Sequence, residues 1–284
     1  LSSSSAASDV YKRQGHTTAN AVLINTAKGR LEGLVELAST TLDPAEPNNG
    51  TESPAGSNPE RAALLGSAYK RLAAVQARNL RQDHDQDQNK DGGDVLLALE
   101  QAIDWYAKAG TQPYPVLNLL ALEAVRDFGI EAKPASLERV RECSQQARAA
   151  WRANPDFWNA VMPADALLTE RLLDSSLGSG GKAGETSFTK VQKTYADALA
   201  NVPGTRRELD SVEQHLRILQ VLFKAQGHLK PRLAGRARLI AKRLDLLAQQ
   251  ILGPTADQGA TAGSAAGTSD GTGGEDDSEI VKIQ

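Results

Sequence analysis

Apolar residues recur every three or four positions through most of the chain and never alternate over a strand-length run. The pattern therefore predicts helices separated by corners. Residues 25–42 carry Leu31, Leu34, Val35 and Leu37 near helical spacing, behind a cap at Asn25 or Thr26. A polar Pro- and Gly-bearing loop follows at 43–57. Asn58-Pro59-Glu60 reads as N-cap, first helical position and first-turn acid, opening a helix that runs to about Leu80. An acidic loop is predicted over 81–93, then a helix over 94–110 capped by Asp94 and stopped by Gly110. Further helices are predicted over 116–129, 133–155, 155–174, 187–203, 205–227 and 230–252. Pro163 is expected to kink or break the fourth of these six stretches' predecessor, the one over 155–174. Residues 175–186 read as a flexible Gly-rich loop. From Gly253 onward the chain is rich in Gly, Ala, Ser and Thr and has too little apolar surface to order itself.

Small and bulky residues recur at offsets that would let one helix pair nest on the next. Leu65-Gly66-x-x-Tyr69 is followed by Ala102-x3-Tyr106-x2-Ala109 and Pro113. The next pair gives Tyr114-x2-Leu117-Asn118-x2-Ala121, then Ala147-x3-Trp151 and Pro155. A third gives Trp158-x2-Val161, then Val191-x3-Tyr195-x2-Ala198-x4-Pro203. These offsets resemble those of tetratricopeptide repeats. The period is loose: Leu65 to Leu117 is 52 residues and Leu117 to Val161 is 44, against about 34 for the ordinary repeat. The expected fold class is all-α, a right-handed superhelix of helical hairpins. The alternative is a generic helical bundle.

Whole phrases extend the resemblance. "ERAALLGSAYKRLA", "YPVLNLLALEAV", "DFWNAVMPADALLTERLL" and "RELDSVEQHLRIL" are similar to the tetratricopeptide-like region of bacterial multidomain proteins that carry a caspase-like CHAT domain. That resemblance implies a non-catalytic sensor or interaction scaffold with an upstream protease-like domain, and the cysteine content adds the expectation of a cytoplasmic location. Residues 1–14 resemble a translated sequencing adapter and the chain has no initiator Met, so Gly15 is read as the first native residue of a longer protein. The expected organisation is then an adapter remnant at 1–14, a partial helix and linker at 15–57, a repeat domain at 58–252 and a disordered tail at 253–284.

Composition narrows the class. Aromatic residues are 4% of the chain and Ala and Leu dominate its apolar set, which favours helices over a β-sandwich. No apolar run is long enough to cross a membrane. A single cysteine, Cys143, excludes an internal disulfide framework and fits a reducing compartment. The net charge of −3 marks neither a dedicated nucleic-acid binder nor a polyanion.

Candidate chemistry is sparse. Asp87-x-Asn89-x-Asp91-Gly92 matches half a calcium loop, but its twelfth position is Ala98, not a bidentate acid. His16, His84, His215 and His228 are scattered, and Ser211 with His215 has no orienting third group. Gly-rich 178–186 lacks phosphate-loop spacing, since Ala183 follows Lys182. No catalytic residue, metal or cofactor is expected. Residues 224–243 hold seven Lys/Arg and no acid, without interleaved aromatics. The expected function is binding a protein or peptide, with an upstream domain of the same chain as one candidate, through an inward surface bearing Lys70, Arg71, Glu123 and Asn159. The repeat-packing set is Leu65, Gly66, Tyr69, Ala102, Tyr106, Leu117, Ala121, Ala147, Trp151, Tyr195 and Ala198. The alternatives are a structural spacer or oligomerisation segment, and a nucleic-acid-responsive sensor using 224–243.

Overall fold

The computed structural model describes residues 59–80 and 88–252, with four further helical positions at Thr26, Gly29, Arg30 and Gly33. The adapter-like segment, most of 15–57 and the tail lie outside the described residues. Eight α-helices are present among the described residues, and no strand. They are α1 (Pro59–Asn79), α2 (Gln88–Lys108), α3 (Pro113–Arg126), α4 (Pro134–Ala153), α5 (Phe157–Leu173), α6 (Gly181–Asn201), α7 (Arg206–Leu229) and α8 (Ala234–Leu252). Short 3₁₀ turns at Ser176–Gly178 and Pro231–Leu233 join α5 to α6 and α7 to α8.

Each helix from α1 to α5 packs on the next in sequence, as does α7 on α8; the most extensive pairs are α1 with α2, α4 with α5 and α7 with α8, and α3 also packs on α5. This is the all-α, helical-hairpin solenoid that the spacing predicts. Start and stop chemistry is local. Pro59, Pro113 and Pro134 open their helices, where a missing N–H costs nothing. Asp156 accepts from the Asn159 N–H at 2.8 Å, and Thr205 with Glu208 forms a capping box at the start of α7. Gly110 and Gly129 take φ of 94° and 91°, a left-handed conformation that glycine adopts freely after a helix.

Within the first hairpin, Gly66 of α1 faces the ring of Tyr106 on α2, and both are buried. Leu65, Ala102, Leu117, Ala121, Ala147, Tyr195 and Ala198 are also buried, while Tyr69 and Trp151 are partly so. One contiguous apolar core runs from Leu72 to Ile251.

Three local expectations fail for identifiable reasons. The helix expected to start at Asp94 begins at Gln88, so Asn89, Asp91 and Gly92 are helical and cannot wrap a calcium ion as a loop would; Asp87 lies outside the described residues. Gly92 is buried, and a Cβ there would meet Leu229 at 2.7 Å, so the extra turns pack against the end of α7. The expected loop over 175–186 is a 3₁₀ turn followed by the first turns of α6. Arg243 of α8 organises it, donating to the carbonyls of Leu177 and Ser179 at 2.7 and 2.9 Å. Of the kink or break expected at Pro163, the break does not occur: α5 runs from Phe157 to Leu173. Pro163 lies in the second turn, where only one intrahelical bond is lost.

The last hairpin does more than terminate the stack. Helix α7 also packs on α1 and α3. Val212, Leu216, Leu219 and Phe223 form a buried stripe along α7, and Ile218, Leu222 and Ala225 on the adjoining face are buried too. A helix apolar on so wide an arc needs cover on two sides. Helix α8 covers one side; α1 and α3 cover the other. The inner surface, expected to be open, is therefore partly occupied by α7.

Candidate functional site

Helices α1, α3, α5 and α7 surround a cavity of about 440 Å³. Four separate stretches of sequence supply its polar groups. Lys70 comes from α1, Asn118 from α3, Asp165 and Thr169 from α5, and His215 from α7. Its apolar wall is made by Leu117, Met162 and Ile218, with Tyr114 and Trp158 half exposed. This volume lies within the roughly 300–1,000 Å³ range of small-molecule sites.

Lys70 is the centre of the polar set. Only 5% of it is exposed. Its ammonium donates to Asn118 Oδ1 at 2.6 Å and lies 3.2 Å from His215 Nδ1. Asn118 is itself held, its amide donating to the Tyr114 carbonyl at 3.0 Å, so its oxygen is turned toward Lys70. For His215 to accept from an ammonium, Nδ1 must carry the lone pair and Nε2 the proton. Burial and the Lys70 charge both hold the imidazole well below its usual pKa, consistent with a neutral ring. Lys70 thereby ties α1 to both α3 and α7.

Burial also drags the Lys70 ammonium down to about 7, helped by the neighbouring Arg71 guanidinium and opposed by Asp165. No carboxylate lies within ion-pair distance of Lys70 among the described residues. The acid that lines the cavity, Asp165, is engaged elsewhere: Tyr195 of α6 donates to its Oδ1 at 2.5 Å. Burial raises the Asp165 carboxyl to about 6, against the opposing pull of Tyr195 and Lys70.

Arg71 sits at the edge of the cavity. It donates to Ser67 Oγ at 2.5 Å and to Gln214 Oε1 at 3.2 Å. With Ser211 and Gln214 it borders both this cavity and an outer cleft of about 710 Å³ between α1 and α7. Arg78, Arg207 and Arg217 line that cleft together with Asp210 and Glu213. Arg217 is neutralised by Glu213 and Asp245.

The four residues expected on one inward surface do not come together. Lys70 and Arg71 adjoin in the cavity wall. Glu123 lies at the far end of α3, where Ser136 donates to it at 3.5 Å. Asn159 bonds back to Asp156 and to the Asn154 carbonyl at the start of α5. The basic stretch over 224–243 is likewise divided. Lys230 caps α3 by donating to the Arg126 and Phe128 carbonyls, Arg236 lies over the Phe128 ring, and Arg243 is buried. Arg232, Arg238 and Lys242 are exposed.

Asn118, Asp165, Trp158 and Thr169 are absent from the sequence-derived contact set. The available signal is a lone polar residue inside an apolar run, as in "VLNLLAL" and "MPADALL". Among the described residues no cluster of His, Cys, Asp or Glu could hold a metal ion, and no helix is long and apolar enough to cross a membrane.

Residues 6–123 match the family model Tetratricopeptide Repeats-Sensor. The chain thus contains a tetratricopeptide-like region. It takes in α1, α2 and most of α3, and it spans less than half of the chain. Lys70 and Asn118 fall inside this sensor-type repeat region, whereas Asp165 and His215 come from the helices that follow it. No curated protein and no solved structure matches the chain.

Proposed function

We propose that this domain is a non-catalytic ligand sensor whose cavity reports occupancy through the position of α7. The observation that carries this reading is the Lys70 ammonium, which holds α3 and α7 from the cavity wall. A molecule entering the cavity competes for that ammonium and changes how firmly the last hairpin is held. The sensor-type repeat match and the roughly ligand-sized cavity support the same reading. The resemblance to CHAT-associated regions supports a bacterial, cytoplasmic signalling system whose effector is a caspase-like domain.

The test is a small-molecule library screened by thermal shift, followed by hydrogen exchange on α7 with each compound that raises Tm. Ligands that raise Tm and change α7 protection together support a sensor. Ligands that leave α7 exchange unaltered, or a library without any binder, count against it.

A second reading is favoured by the arginines along the α1–α7 cleft. Arg71, Arg78 and Arg207 suit an acidic peptide, which would make the domain an interaction module for a protein partner. Charge-reversal at Arg78 and Arg207 abolishes capture of such a peptide if that reading holds.

A further inference from the structure

The cavity carries a chemical preference of its own, and the inference rests on the sensor reading above. We infer that its ligand is a small aromatic monocarboxylate, seated with its carboxylate on Lys70 and its ring between Trp158 and Tyr114.

Lys70 has three ammonium donors. Asn118 and His215 take two of them, both neutral acceptors, so the charge itself has no contacting counter-ion among the described residues. Arg71 adds a second positive group at the edge, bonded only to uncharged Ser67 and Gln214. A buried cation without an anion is unfavourable, and an incoming carboxylate supplies a charge-assisted bond at that point. The Asp165 carboxyl on the opposite helix sets the upper limit. Its negative charge repels a second anionic charge in the same cavity, so a monoanion is favoured over a dianion.

Most large apolar side chains of the domain are buried, yet Tyr114 is 50% and Trp158 is 46% exposed. They are the two aromatics among the exposed large apolar side chains of the described residues, and both line this cavity. Trp158 stands edge-on to Phe157, with ring centroids 5.1 Å apart. Met162, Leu117 and Ile218 continue the apolar wall inward. An aromatic body at the rim with an acidic group at Lys70 satisfies both halves of the lining.

The test uses three matched probes on the 284-residue chain: phenylacetate, its neutral amide phenylacetamide, and dianionic phenyl phosphate. Binding is followed by the Trp158 indole N–H resonance, assigned by Trp158→Phe. Phenylacetate is expected to bind at least tenfold more tightly than phenylacetamide and more tightly than phenyl phosphate. Lys70→Met removes the preference for the acid over the amide, and Trp158→Ala weakens both. Should Lys70→Met fail to fold, the acid-against-amide ratio in the unaltered chain still decides the matter. Equal affinity for acid and amide, or tighter binding of the phosphate, overturns the inference and leaves the sensor reading standing. Failure of all three probes to shift Trp158 overturns the inference, and binders from the wider library then judge the sensor reading separately.

Discussion

A Cβ placed on residue 66 would stand 2.8 Å from Cγ of Tyr106, so the missing side chain of Gly66 and the buried ring of Tyr106 occupy one space. The hairpin of α1 and α2 closes on this pair. In an exposed helix interior Gly66→Ala would gain about 1 kcal/mol of helix propensity. Here overpacking against a fully buried ring costs about 1–3 kcal/mol and outweighs it. Gly66→Ala is expected to lower the urea midpoint, and Gly66→Leu to lower it further. A raised midpoint for Gly66→Ala would mean the ring yields freely.

Arg243 distinguishes a buried donor from a surface ion pair. It is 2% exposed and bonds the Leu177 and Ser179 carbonyls as well as Glu185, whose side chain is 66% exposed. Removing the guanidinium leaves two inward carbonyls without their donor and a void in the core. Arg243→Ala is expected to cost about 2–5 kcal/mol, from the unsatisfied carbonyls and the void together. Glu185→Ala removes only a solvent-screened partner and costs under about 1 kcal/mol. Equal losses in urea unfolding would show that the ion pair, not the carbonyl bonds, holds the α5–α6 turn.

These two positions also mark how far the sequence can be read. Gly66 and Tyr106 stand at repeat offsets, and the hairpin they build was legible because helix packing needs a small residue opposite a large one at a fixed interval. Residues 175–186 misled because glycine content signals flexibility locally, while the reason for Gly184 is the Ser179 carbonyl and Arg243, the latter 59 residues away in sequence. The cavity was least legible. Lys70, Asn118, Asp165 and His215 each look like an isolated polar residue on its own helix. Only the return of α7 onto α1 and α3 sets them around one space, and no local pattern encodes that return.

Cys143 of α4 is expected to be chemically quiet in the folded chain. It is 3% exposed, and burial pushes its thiol up, with Arg139 opposing. The thiolate is the nucleophile, so both access and ionisation are suppressed. Iodoacetamide at neutral pH should label it only as fast as α4 opens, with labelling accelerated by urea in step with unfolding. Rapid labelling in native buffer would place Cys143 at an accessible surface.

Lys70 and Asp165 give opposite and separable pH signatures. The Lys70 ammonium falls from about 10.4 in an unfolded chain to about 7 in the fold. Between those values the unfolded chain binds more protons, so stability rises as pH rises from 7 toward 10. The Asp165 carboxyl moves the other way, from 3.8 to about 6. Between those values the folded chain binds more protons, so stability falls as pH climbs from 4 to 6. Urea unfolding across pH 4–10 resolves the two contributions when each variant is subtracted from the unaltered chain. Lys70→Met should lose the rise above pH 7, because a methionine fills the same volume and carries no proton, and its acid limb should move to slightly higher pH, because the Lys70 charge no longer lowers the Asp165 carboxyl. Asp165→Asn should do the reverse, keeping a Tyr195 partner but removing the ionisation. The two substitutions share a cavity, so the double variant should deviate from the sum of the singles where both groups are charged, near pH 6–7. A Lys70→Met curve parallel to the unaltered chain between pH 7 and 10 would mean the ammonium is solvated in the folded state, and its hold on α3 and α7 would then contribute little.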